Sequence, residues 1–364
     1  MSVFWAIAVL AVLIVVHELG HFLAARLQGI YVTRFSIGFG PVLWKYQGKE
    51  TEYALRAIPL GGYVAFPDDE LDEAIAPNDP ALLQNRPILD RAIVISAGVI
   101  ANLVFAYVLI LTQMAWVGVP ELKMAPGVMI VQIASETSSA AAQAGLQAGD
   151  IVLGVDGQSL GKNEQGIAAL QAQIKQKPDQ PLTLDIQRND QPLSLQVIPT
   201  LGEDGVSRIG VQLAPNGSVV RKPAPSFVSL LGAASEEFQR LVSITVMGFG
   251  QLLTHFQDAA SQVSGPIKII EIGAEIARSN LSQLLQFGAL ISINLAVINI
   301  LPLPALDGGQ LAFLLIEGLR GRPLPLELQQ GVMQTGLFLL LGLGMFLIVR
   351  DTANLTWVQQ LFSQ

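Results

Sequence analysis

The chain has 364 residues, of which 51% are hydrophobic and only 14% charged, against about 25% charged in an ordinary soluble domain. So few polar side chains cannot cover its apolar surface in water, which excludes a wholly soluble protein, and so large a hydrophobic share excludes a disordered one. Cysteine is absent, ruling out a disulfide framework, a thiolate metal site and a Cys nucleophile; a net charge of −8 without basic clusters gives no basis for nucleic-acid binding.

Residues 3–25 are almost continuously apolar. At 1.5 Å per residue they span about 34 Å, enough for a hydrocarbon core of about 30 Å. No basic residue precedes them and the run is longer than a signal peptide's apolar region, so a retained membrane helix is expected. Inside it stands His17-Glu18-Leu19-Gly20-His21, an HExxH motif. Residues four apart share a helix face, so both imidazoles can reach one metal, while Glu18 lies about 100° round the helix where it can contact water. Zinc suits imidazole and carboxylate ligands. Ionisable groups at this depth are costly unless partnered, which favours a functional site over a polar cluster gluing helices.

Arg26, Arg34, Arg86 and Arg91 flank the loop 26–92 and put it in the cytoplasm, with the N-terminus outside. Residues 51–66 alternate and contain Gly61-Gly62. The acidic run 68–73 reads as a solvated loop. Residues 93–117 form a second span, in which Asn102 reads as a structural hydrogen bonder. The more polar region from 118 to about 280 then lies outside, with a break at Pro120. Strands are expected at 128–134, 151–155, 182–187, 193–198 and 209–213, and helices at 138–144 and 164–175. The apolar stretch 241–256 is about 16 residues long and reads as an interfacial amphipathic helix. Residues 284–301 form a third span, ended by Pro302 and Pro304, and 332–349 a fourth. Arg320 and Arg322 lie inside; Arg350, after the fourth span, runs against this orientation. Trp5, Trp44, Trp116 and Trp357 suit interfacial anchors.

A catalytic zinc takes three protein ligands and a water. His255 and Asp307 are the candidates for the third. The HExxH motif is nearer the inner end of the first span, and Asp307 follows the inner end of the third. His255 belongs to the outer region, so topology favours Asp307 and leaves His255 as a surface or interface residue. Pro302 and Pro304 force extended backbone before Asp307, and Gly308-Gly309 permit an unusual turn beside it. Irregular backbone at membrane depth is tolerated where protein or a wet cavity surrounds it.

The run Ala144-Gly145-Leu146-Gln147-Ala148-Gly149-Asp150-Ile151-Val152 resembles the signature of bacterial PDZ domains, over about 125–215. Such domains add a peptide strand to a sheet edge; a ligand-free spacer is the other reading. With HExxH in the first span, this PDZ-like insert, and Asn299-x-x-Pro302-x-Pro304-x-x-Asp307-Gly308 after a later span, the chain resembles the bacterial site-2 proteases. These are intramembrane zinc metalloproteases of regulated intramembrane proteolysis. The stretches 35–41, 58–64 and 263–267 are also similar. One departure is that a single PDZ domain is visible where some relatives have two.

The resemblance implies a polytopic α-helical membrane protein with about four transmembrane helices, an inserted α/β PDZ domain and a small membrane-associated β-hairpin or sheet. The expected parts are 1–118, 119–215 (PDZ), 216–283 (interfacial) and 284–364. It also implies Zn2+ held by His17, His21 and Asp307, with Glu18 as general base. Asn294 and Asn299, about 140° apart on their helix, and Gly61, Gly62 and Tyr63 would position substrate. Implied partners are single-pass membrane proteins, such as a trimmed anti-sigma factor or a remnant signal peptide, together with membrane lipid and a peptide or C-terminus at the PDZ domain. The implied location is a bacterial plasma membrane with the PDZ domain outside, or a thylakoid or plastid membrane. The competing reading is a non-catalytic adaptor that binds peptides through its PDZ domain and needs neither metal nor Glu18. A transporter finds no support in an internal repeat.

Overall fold

The computed structural model describes residues 1–67, 75–76, 78–134, 139–161, 163–202, 205–254 and 264–353. The acidic run 68–73, His255 and Trp357 lie outside the described residues. The chain divides into two units, Met1–Gly118 with Pro223–Gln364, and Val119–Lys222.

The first unit opens with helix α1 (Ser2–Leu27). Strands β1 (Arg34–Gln47) and β2 (Glu52–Ala65) follow, then helix α2 (Ile88–Val117). Helices α1 and α2 approach closely because small residues meet. A Cβ on Gly20 would run into the Ala97 carbonyl and come 2.8 Å from Ala101 Cβ. Close approach through small residues is how helices gain packing energy in lipid, where the hydrophobic effect offers none. The two long strands fold into a sheet of four ribs. Residues 35–37 pair in parallel with 53–55 and antiparallel with 62–64, and 44–47 pair antiparallel with 52–55. The sheet therefore exceeds a simple hairpin, and β1 carries half of it. Gly38, at φ +87, makes the bend that lets one strand supply two ribs. Phe22 of α1 packs on Phe35 and Tyr53, fastening the sheet to the helix that bears the HExxH motif.

The second unit is a sheet in the order β10-β3-β4-β6-β7. Its elements run β3 (Val119–Ile133), α3 (Ala140–Gln143), β4 (Ile151–Val155), the short β5 (Gln158–Ser159), α4 (Asn163–Gln176), β6 (Leu182–Arg188) and β7 (Gln191–Val197). The small pair β8 (Thr200–Leu201) and β9 (Ser207–Arg208) precedes β10 (Val211–Lys222). Val128, Ile130, Val152, Leu170, Leu184 and Ile186 form its buried core. The break expected at Pro120 falls where α2 ends at Val117 and the second unit starts at Val119; Pro120 itself lies within β3, paired with Arg221 of β10. Strand β4 reaches only Val128 and Met129, so the far side of Pro120 has no ladder to interrupt. The expected strand 209–213 begins only at Val211, after Gly210 at φ +77. The signature run has a physical basis. Asp150 is buried, accepts from the Gln147 amide at 2.8 Å and is gripped by Arg188 through two bonds of 2.7 and 2.8 Å. Burial pushes its carboxyl up, but those hydrogen bonds outweigh burial and hold it below the usual carboxylate range.

The first unit resumes with α5 (Phe227–Thr254), α6 (Pro266–Ser279), α7 (Leu281–Ile300), α8 (Asp307–Arg320) and α9 (Leu326–Ala353). Helix α5 is 28 residues long, not 16, because Glu236, Glu237 and Arg240 interrupt the hydropathy without interrupting the helix. A chain of amide and carboxylate bonds ties it in: Gln113 of α2 donates to Gln286 of α7, which donates to Glu237. Helices α1, α2, α7 and α9 are each long and apolar enough to cross a membrane. Each extends beyond its apolar run, since hydropathy marks the lipid-facing stretch and hydrogen bonding sets the helix end.

Candidate metal centre

Helix α1 brings the HExxH imidazoles together: the two Nε2 atoms are 3.2 Å apart. Asp307 is the first residue of α8, and its Oδ2 lies 3.3 Å from His17 Nε2 and 3.5 Å from His21 Nε2. One potential ligand atom from each of the three lies within 4.8 Å of the others. The loop before α8 sets this position. Helix α7 ends at Ile300, Ala305 adopts φ +68, and Pro304 packs against Gly336 of α9. The unusual turn expected at Gly308-Gly309 is instead at Ala305. The two glycines lie within the first turn of α8, where a Cβ on either would strike the carbonyls of Ile300, Leu301 or Leu303. They permit close packing of the loop on the helix.

These residues suit a divalent metal. His21 Nδ1 lies 2.8 Å from the Val94 carbonyl, the outer partner that leaves Nε2 free as a ligand. Asp307 Oδ2 is buried without a hydrogen-bond partner, as an oxygen aimed at an ion would be. Gly98 of α2 faces the two rings, and a Cβ there would lie 2.7 Å from Cε1 of each. Two imidazoles and a carboxylate make a zinc-type donor set with room for water.

Glu18 is half-buried beside this group and hydrogen-bonded to the Val64 backbone amide. The outer rib of the sheet runs past it: a Cβ on Gly62 would come 3.0 Å from Glu18 Cγ. Gly61, at φ +129, lies under the Phe39 ring. Tyr63 is held away by its hydroxyl, which accepts from Arg56 at 3.0 Å and Arg34 at 3.4 Å. Asn299 Nδ2 reaches within 3.3 Å of His17 Nε2. Asn294, five residues earlier on α7, is half-buried and is not brought to the cluster among the described residues. Asn102, read as a structural group, lies 3.3 Å from His17 Nδ1. Its distance in sequence hid this; the signal was its polarity at mid-span.

In the second unit a cavity of about 480 Å³ lies between α4 and the strands β9 and β10, lined by Ile174, Lys175, Arg208, Ile209 and Leu213. Strand β10 is the first strand of its sheet and pairs with β3.

Residues 5–343 match peptidase family M50. The chain belongs to this family, the site-2 proteases. A Nostoc sp. protein named as a zinc metalloprotease is 62% identical over 366 residues, covering all of both chains. The chloroplastic membrane metalloprotease ARASP of Arabidopsis thaliana is 46% identical over 362 residues, 99% of this chain and 80% of ARASP. The regulator of sigma-E protease RseP of Escherichia coli is 31% identical over 444 residues, 93% of this chain and 96% of RseP. The M50 chain is a membrane-embedded enzyme, a metalloprotease whose cofactor is Zn2+. The adaptor reading gives way to this assignment.

Proposed function

We propose that His17, His21 and Asp307 hold the zinc and that the enzyme cuts peptide bonds within transmembrane segments of single-pass membrane proteins. The observation that carries the reading is the convergence of these three donors, two from the membrane-length helix α1 and one from the start of α8, with Glu18 and the outer rib of the sheet beside them. Bound zinc supplies Lewis acidity toward the scissile carbonyl and acidifies water. Glu18 takes the proton of the attacking water and delivers it to the departing amine nitrogen. Asn299 donates its amide N–H to the carbonyl oxygen as negative charge gathers there, a role its 3.3 Å distance from His17 supports. A helical substrate hides its peptide bonds, so it must unwind to be cut. The rib at 62–64 pairs with 35–37 on one side, and its other side would hold an extended substrate strand beside Glu18. Gly62 leaves the room for that approach.

The finer assignments follow from the sequence. The charge pattern puts residues 26–92 in the cytoplasm and the PDZ unit outside, in a bacterial plasma membrane or a plastid membrane. Chemically suitable substrates are an anti-sigma factor already trimmed outside, or a remnant signal peptide. The cavity beside β10 would take a peptide C-terminus and act as a docking site or size filter. The test is cleavage of a single-pass model substrate in proteoliposomes. Parent enzyme should yield a cut inside the transmembrane segment, abolished by a chelator and by Glu18→Gln; a cut only in flanking sequence would refute the intramembrane reading.

A further inference from the structure

Asn102 is fully buried on α2. Its backbone carbonyl accepts from Ser292 Oγ at 2.8 Å, which ties α2 to α7. Its side chain faces elsewhere: Nδ2 is 3.3 Å from His17 Nδ1, while Oδ1 is buried with no partner. An orphaned buried amide oxygen costs roughly 1–3 kcal/mol, so helix packing alone gives no reason for an amide here.

The proton inventory of His17 supplies one. Its Nε2 faces both Asp307 and His21, so Nε2 is the ligand atom. A neutral imidazole that gives the Nε2 lone pair to a metal carries its proton on Nδ1. The group facing Nδ1 must then accept. An amide nitrogen cannot accept and an amide oxygen can. With the amide nitrogen toward Nδ1, that nitrogen faces a donor and cannot accept its proton, so this orientation of the amide does not suit a metal-bound His17. A half-turn of the amide exchanges nitrogen and oxygen without changing its shape and gives the orphaned Oδ1 a donor.

We infer that Asn102 is a positioning residue of the metal centre, whose Oδ1 accepts from His17 Nδ1–H when metal is held. This rests on His17 being a zinc ligand. The Val94 carbonyl does the same for His21. Val94, Gly98 and Asn102 are four apart and form one stripe of α2. That stripe supplies an acceptor for each imidazole and a gap between them. Only the acceptor for His17 is a side chain, so it is the one that substitution can remove.

The test is zinc affinity, measured by competition with a chromogenic chelator on detergent-purified full-length protein, for the parent, Asn102→Asp and Asn102→Leu. Thermal stability of each metal-stripped protein is measured beside it. Asp keeps the acceptor and loses the donor; Leu loses both. The expected result is affinity within about threefold of parent for Asp and weaker by about 10–100-fold for Leu. Cobalt-loaded Asn102→Asp should keep the parent's visible spectrum. If Leu does not fold, Ser takes its place, too short to reach Nδ1, with the same expected loss. Unchanged affinity in Leu or Ser, or equal losses in Asp and Leu, would overturn the inference. Absence of zinc binding in the parent would overturn the ligand assignment itself, and so is told apart from failure of Asn102 alone.

Discussion

The tightest constraint on the metal centre is a missing methyl group. Gly98→Ala would put a carbon against His21 Nε2 and 2.7 Å from Cε1 of both His17 and His21, where carbon contacts close at about 3.5 Å. Either the rings or the whole of α2 must retreat by at least about 0.8 Å. Zinc ligand distances hold to about 0.2 Å, so the retreat is at least about four times the tolerance. A misplacement near 1 Å at a reacting centre costs about 100-fold, equivalent to about 2.7 kcal/mol. Zinc competition and single-turnover cleavage should therefore both fall by roughly that factor. Gly342→Ala on α9, where nothing lies within 4 Å, is the control; it should leave zinc affinity unchanged and add about 0.5–1 kcal/mol of helix stability. Gly98→Ala with zinc affinity within threefold of the parent would refute the reasoning.

Gly61→Ala meets the Phe39 ring and a φ of +129; the outer rib should unpair, and cleavage should fall while zinc content stays at the parent level, as elemental analysis would show. In the second unit, Asp150→Asn keeps the shape and loses the charge. Because the folded Asp150 carboxyl titrates below its unfolded value of about 3.9, its stabilisation is complete above that value and is lost as pH falls through the folded one. The parent should exceed the variant by about 1–2 kcal/mol at neutral pH, allowing for the partly exposed Arg188. The gap should close on acidification below pH 4. Hydrogen exchange of β4 and β6 amides in the whole chain measures it.

Much of this centre could be read from the sequence, and the parts that could not have identifiable causes. HExxH was legible because helical spacing alone puts His17 and His21 on one face. Asp307 was legible because charge flanks and prolines placed it at the same end of its span. Strand β1 was not foreseen as a partner, since Gly38, Gly40 and Pro41 destroy the alternation that marks a strand, and it is those residues that let one strand bend into two ribs. The positive φ at Ala305 was hidden because alanine gives no sign of it, while Gly308 and Gly309 drew attention for a turn they do not make. Asn102 and Gly98 act through contacts to α1 about 80 residues away, which local pattern cannot reveal. The strand through Pro120 depended on which side of β3 lacks a neighbour, a fact of topology.

The central claim is that His17, His21 and Asp307 hold one zinc. Its most direct test is elemental analysis of the detergent-purified chain beside His21→Ala, Asp307→Ala and Glu18→Gln. About one zinc per chain is expected in the parent and in Glu18→Gln, with clear loss in the two ligand variants. A parent without zinc after reconstitution, or Asp307→Ala that retains parental zinc, would contradict it.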